Sequence, residues 1–152
     1  MTPSLSRAWE EILRPMIFRP KRLQVAALCY RKTDKGTDVL MVTSRGSGRW
    51  ILPKGWPVSG KDGAESALQE AWEEAWVKKA KIEGEPIGHY DYQKNRGRGR
   101  VETVETLVYI AQVTKLSKSY PERKQRKRQW VPVEDAANLV HEPQLRDLLR
   151  QL

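Results

Sequence analysis

The chain has 152 residues, 39% of them hydrophobic and 31% charged, with 28 Lys+Arg against 19 Asp+Glu for a formal charge of +9. That length suits one domain, since domains commonly run to about 100–200 residues, and the composition excludes a chain disordered throughout. The one cysteine, Cys29, excludes an internal disulfide framework and a Cys-rich zinc site, and no apolar run approaches the roughly 20 residues that span a bilayer.

The N-terminal stretch has an acidic pair and no apolar h-region, so it does not read as a secretory signal, and a soluble, cytoplasmic protein with no membrane partner is expected. Residues 1–20 read as an N-terminal helix and extension. Leu5, Ala8, Trp9, Ile12 and Leu13 lie near helical spacing in 4–13, and Pro15 and Pro20 then break the chain. Residues 23–30 (LQVAALCY) predict a strand buried on both faces, with Cys29 as a packing residue, and 39–43 (VLMVT) its hairpin partner across the turn TDKG. Residues 44–49 form a small basic loop, and 50–52 a short strand ended by Pro53.

A glycine-bearing loop follows, and 64–77 then predicts the strongest helix, rich in Ala and Glu without internal Gly or Pro. Asp62 is its expected N-cap, with Glu65 three residues on completing a capping box. Residues 80–92 read as extended, with a bend at 84–86; NRGRGR at 95–100 is a basic turn, and 101–113 alternate as a long strand. Residues 115–128 form a basic loop, 129–133 a short strand with Trp130, and helices follow near 134–139 and 143–149. The order implies an α/β (α+β) fold, one domain over 1–152, with a mixed sheet covered by helices on both faces.

The positive charge favours anionic partners, nucleic acid and phosphorylated small molecules among them. Charge alone does not choose between these partners and a merely basic, soluble surface, and neither an RNA-recognition nor a helix-turn-helix signature supports nucleic acid. No pattern bears on oligomeric state. Glu70, Glu73 and Glu74 project from one helix face at i, i+3 and i+4, with no base at 66 or 77 and Lys78 as the nearest cation. Hard oxygen ligands so clustered suit Mg²⁺ or Mn²⁺; a solvated acidic face is the alternative. Arg45, Arg49 and Lys54 can meet phosphate oxygens. Trp56 in the loop is the tryptophan best placed to touch substrate, while Trp9, Trp50, Trp72 and Trp130 mostly read as packing residues. Tyr90 and Tyr92 read as core rather than as stacking platforms, and the basic segment 118–128 as either an anion contact or a solvated loop.

At these residues the sequence resembles the Nudix hydrolases. The family box G-x5-E-x7-R-E-U-x-E-E-x-G-U stands here as Gly55, Lys61, Gln69, Glu70, Ala71, Glu73, Glu74, Trp76 and Val77, after the lead-in Trp50-Ile51-Leu52-Pro53-Lys54. The paired strands at 23–30 and 39–43 and the run Arg-Lys-Arg-Gln-Trp at 126–130 look like the diphosphoinositol polyphosphate phosphohydrolase branch. The resemblance implies an α/β/α sandwich that hydrolyses a phosphoanhydride in an anionic phosphorylated small molecule, of the nucleoside polyphosphate, dinucleoside polyphosphate or diphosphoinositol polyphosphate type, with Mg²⁺ (or Mn²⁺) held by Glu70, Glu73, Glu74 and the Gly55 carbonyl. Glu70 or Glu73 would take the proton of the attacking water. Glu102 and Glu105 are candidates for a further ligand or base, with exposed strand carboxylates as the alternative, and Lys21 and Arg22 would face substrate.

Three departures stand out. Lys61 and Gln69 replace a family Glu and Arg usually joined by an ion pair. Trp76 occupies the glycine position after the helix, so either the helix runs on or a bulky residue takes a left-handed conformation costing about 1–2 kcal/mol. These motivate an alternative: a catalytically impaired Nudix-fold module that binds nucleotides or polyphosphates; a nucleic-acid binder using the basic loop and the Arg-Gly turn is a further one.

Overall fold

The computed structural model describes residues 22–119 and 125–152, with the backbone alone for Arg96. The expected N-terminal helix and Lys21 lie outside the described residues.

Strands β1 (Arg22–Thr33) and β2 (Gly36–Thr43) form the expected hairpin, and the short β3 (Trp50–Ile51) and β4 (Lys54–Gly55) follow. Helix α1 (Gly63–Ala75) leads into β5 (Val77–Ile82), β6 (Gly88–Gly97) and β7 (Arg100–Leu116). The chain closes with β8 (Arg128–Pro132), α2 (Val133–Leu139) and α3 (Pro143–Arg150). The eight strands make one mixed sheet with a path β3-β2-β1-β7-β5, in which β4 pairs with β1, β6 with β7 and β8 with β2.

The parallel pair β1/β7 is the centre. Each of these strands is shared along its length by two shorter neighbours: β1 pairs with β4 near its start and β2 near its end, and β7 with β6 and then β5. The single extended stretch expected at 80–92 is therefore two strands, since the bend at 84–86 lets both halves reach β7.

Helices cover both faces, and this is why all eight residues Leu23–Tyr30 of β1 are buried. Leu23, Val25, Ala27 and Cys29 pack toward α1; Ala26, Leu28 and Tyr30 join the opposite core with Val133, Ala136, Leu145 and Leu149 of α2 and α3. On α1 the small residues Ala67, Ala71 and Ala75, at i, i+4 and i+8, are fully buried and bring the helix close to the sheet. A Cβ at Gly63 would overlap the Tyr109 hydroxyl at the helix start. Among the described residues no helix is long and apolar enough to cross a membrane.

Candidate active site

The capping box forms as the sequence predicts: Glu65 N–H donates to Asp62 Oδ1 (2.8 Å) and Asp62 N–H to Glu65 Oε1 (3.1 Å). With its start fixed there, α1 turns Glu70 and Glu74 toward β4. A Cβ at Gly55 would overlap the Glu70 carboxylate, so close approach is what demands glycine at 55. Glu74 is 5% exposed. Its Oε2 accepts from the Lys54 amide (3.2 Å), and its Oε1 meets Arg126 Nη2 at 3.3 Å. Arg126, rather than Lys78, thus pairs with Glu74 among the described residues.

Glu73 lies on the flank of the helix. Lys61 Nζ donates to Gln69 Oε1 (2.5 Å) and Gln69 Nε2 to Glu73 Oε1 (3.0 Å). A cation-to-amide hydrogen bond thus joins the two substituted box positions and ends on Glu73. Among the described residues, no three Asp, Glu, His or Cys side chains converge on one point.

The helix stops at Ala75. Trp76 is left-handed (φ 46°, ψ 50°), and its amide donates back to the Ala71 and Trp72 carbonyls. The alternative of helix through 77 is excluded, and β5 begins at Val77. No base stands in the last turn of α1, but Arg128 of β8 donates to the Ala75 carbonyl and to the Ser117 carbonyl, both at 2.7 Å. Trp72, expected to pack, is 37% exposed and lies edge-on to Trp76, ring centroids 4.9 Å apart.

On the opposite face of the sheet lies a cleft of about 560 Å³. Arg45 and Arg49 of the β2–β3 loop, Lys54 of β4 and Lys94 of β6 line it, and Glu142 is the one acidic side chain among its described lining. Lys54 Nζ donates to Tyr92 Oη (3.0 Å) and Gln24 Oε1 (3.4 Å), and lies 4.1 Å from the Tyr92 ring centroid. Burial pushes its amine down to about 8. Tyr90 is a fully packed core residue, whereas Tyr92 both packs and holds Lys54.

Arg22 and Trp56 stand beside the cleft, outside its lining. Arg22 lies 4.2 Å from the Trp56 ring centroid and Lys94 lies 5.1 Å from it. Strand alternation sends Glu102 and Glu105 to opposite faces of β7. Glu102 reaches Arg22 at 3.9 Å, while Glu105 shares the α1 side with Leu107, beside Leu23. Both are half-buried rather than exposed.

Sequence reasoning missed Gln24, Lys94 and the inward turn of Arg126 and Arg128. Two signals were present: Gln24 is the polar residue inside an apolar run, and Lys94 follows Tyr90 and Tyr92 at strand spacing. No sequence signal separates an inward Arg126 from its solvated neighbours.

The donor set at β4 is all oxygen: the Glu70 and Glu74 carboxylates beside the main chain of 54–55. That chemistry fits a hard divalent cation, because Mg²⁺ typically takes one or two carboxylates and completes its shell with water and substrate phosphate.

Fold and site together define an enzyme-like pairing of a carboxylate helix with a basic cleft. Residues 21–152 match the NUDIX domain profile, and the chain belongs to the Nudix hydrolase family. It is 31% identical over 133 residues to human diphosphoinositol polyphosphate phosphohydrolase 3-beta, covering 85% of this chain and 76% of that one. The mouse 3-alpha protein is 32% identical over 135 residues, with the same two coverages. Among solved structures, the E. coli dihydroneopterin triphosphate pyrophosphohydrolase superposes with a TM-score of 0.64 at 14% identity, covering 86% of this chain and 93% of that one. The C. elegans Ap4A hydrolase superposes at 0.58 with 22% identity, covering 85% and 93%. At those identities the structural likeness speaks for the fold: helices on both sides of a mixed sheet.

Proposed function

We propose that this chain is a divalent-cation-dependent hydrolase of phosphoanhydrides in densely phosphorylated small molecules, of the diphosphoinositol polyphosphate or dinucleoside polyphosphate type. One observation carries the reading. The two residues of β4 serve opposite faces: Lys54 points into the basic cleft, while Gly55 lies against Glu70 on the α1 side. On this reading the groups that would meet the anion and those that would hold the cation are one residue apart, which supports cleavage of a charged phosphoanhydride there. The names of the relatives agree with a substrate of this class.

Arg45, Arg49, Lys54 and Lys94 would receive the phosphate oxygens. The desolvated Lys54 ammonium, held by Gln24 and Tyr92, is already oriented for one of them. Glu70, Glu74 and the Gly55 carbonyl would hold Mg²⁺ or Mn²⁺, with Glu73 at the margin. When bound, such a cation polarises phosphoryl oxygens and lowers the pKa of an attacking water. Glu70 or Glu73 would accept the water's proton.

The test is phosphate and pyrophosphate release from diadenosine polyphosphates, a diphosphoinositol polyphosphate, ADP-ribose and nucleoside triphosphates, with Mg²⁺ and with chelator. Turnover that needs the cation and disappears in Glu74→Gln supports the proposal. Tight binding of these compounds without turnover of any would replace it with the non-hydrolytic binding module.

A further inference from the structure

We infer that Arg126 is the resident counter-ion of Glu74 and competes with a divalent cation for that carboxylate, thereby setting the cation affinity of the site. This rests on the proposal that Glu74 is a cation ligand.

Both partners are withdrawn from water: the side chains of Arg126 and Glu74 are 8% and 7% exposed. A buried carboxylate needs a compensating charge, and the guanidinium supplies one at 3.3 Å. Arg126 is also tethered, because its Nη1 donates to the Thr43 carbonyl at the end of β2 (2.9 Å). Its neighbour closes on the same residue: Lys127 N–H donates to Thr43 Oγ1 (2.8 Å), and Thr43 N–H to the Lys127 carbonyl (3.0 Å). One residue earlier, Gln125 Oε1 accepts from Arg45 Nη1 (2.9 Å), and Arg45 lines the cleft. Residues 125–127 thus touch a proposed cation ligand on one side and the rim of the anion cleft on the other.

Arg126 places a fixed positive charge against the Glu74 carboxylate. A divalent cation entering at Glu74 meets that like charge, and without Arg126 it does not. A guanidinium tethered to Thr43 cannot be moved off without breaking that bond. Its fork spans a carboxylate and a carbonyl together, which an ammonium does less well.

The experiment titrates Mn²⁺ into the full chain at constant ionic strength, following free Mn²⁺ by electron paramagnetic resonance. Arg126→Gln is expected to bind Mn²⁺ about tenfold more tightly than the given chain, from the loss of one like charge at close range. Arg126→Lys, which keeps the charge, is expected to stay near the given chain and guards against a folding artefact. Saturating Mn²⁺ should also raise the thermal midpoint of Arg126→Gln more than that of the given chain. Glu74→Gln, run alongside, should bind Mn²⁺ more weakly. If Glu74→Gln weakens binding while Arg126→Gln does not tighten it, the counter-ion inference is overturned and the cation site stands. If Glu74→Gln leaves Mn²⁺ binding unchanged, the cation role of Glu74 fails, and the inference built on it fails with it.

Discussion

Trp76 offers the sharpest stability test, because two readings of its backbone have opposite signs. Its ring carries terms that oppose each other. The edge contact with Trp72 is worth about 0.5–1.5 kcal/mol, while the indole Nε1 is buried with no hydrogen-bond partner, a cost of about 1–3 kcal/mol. Comparing Trp76→Gly with Trp76→Ala removes the ring in both and isolates the backbone. At φ 46° a Cβ costs about 1–2 kcal/mol, less the extra unfolded-chain freedom of glycine of about 0.4–1 kcal/mol. The glycine variant should therefore be the more stable by about 1 kcal/mol, or about 2–4 °C in Tm for a chain of this size. Inside a continuing helix alanine would win by about the same amount. Urea unfolding with matched slopes measures the difference. An alanine variant as stable as the glycine one, or more so, would refute a left-handed residue at 76.

Three further outcomes are expected. Gly55→Ala drives a methyl into the Glu70 carboxylate, so Mn²⁺ affinity should fall by about tenfold or more; unchanged affinity in direct titration would remove Gly55 and Glu70 from the cation site. Lys54→Met should raise KM for an anionic substrate by about tenfold or more, the loss of one charge-assisted hydrogen bond, and an unchanged KM would take Lys54 out of the anion cleft. Tyr30 Oη donates to Glu83 Oε1 at 2.6 Å, and this bond, aided by burial, holds the phenol up to about 12. Its folded value exceeds the unfolded value of about 10, so its contribution is complete below pH 10 and is lost as pH rises through 12. Tyr30→Phe should cost about 1 kcal/mol at pH 8 and flatten the fall in stability between pH 10 and 12, read from urea midpoints of both chains; parallel curves would contradict it.

Local rules made much of this protein legible. The Asp62–Glu65 box, the Ala-rich helix and the hairpin at its turn depend on residues within a few positions of one another; the box and the hairpin stand where the sequence puts them, and the helix starts there but ends at Ala75, two residues short of the expected end. The spacing of Glu70, Glu73 and Glu74 placed them on one side of α1, but spacing sets direction only to within part of a turn. The structure turns Glu74 into the core and leaves Glu73 on the flank beside Gln69.

What the sequence by itself determined is the opening hairpin, the capped carboxylate helix, the long strand after it and the strong positive charge, because each follows from near neighbours or from composition. Only the tertiary structure decided that Arg126 pairs with Glu74 across 52 positions, and that Lys54 sits between Gln24 and Tyr92. It alone decided that Glu102 reaches Arg22 while Glu105 lies beside Leu23, and that a two-residue β4 joins the cleft to the helix. Those contacts depend on strand register and sheet order, and register is set by how both faces of β1 and β7 are buried at once.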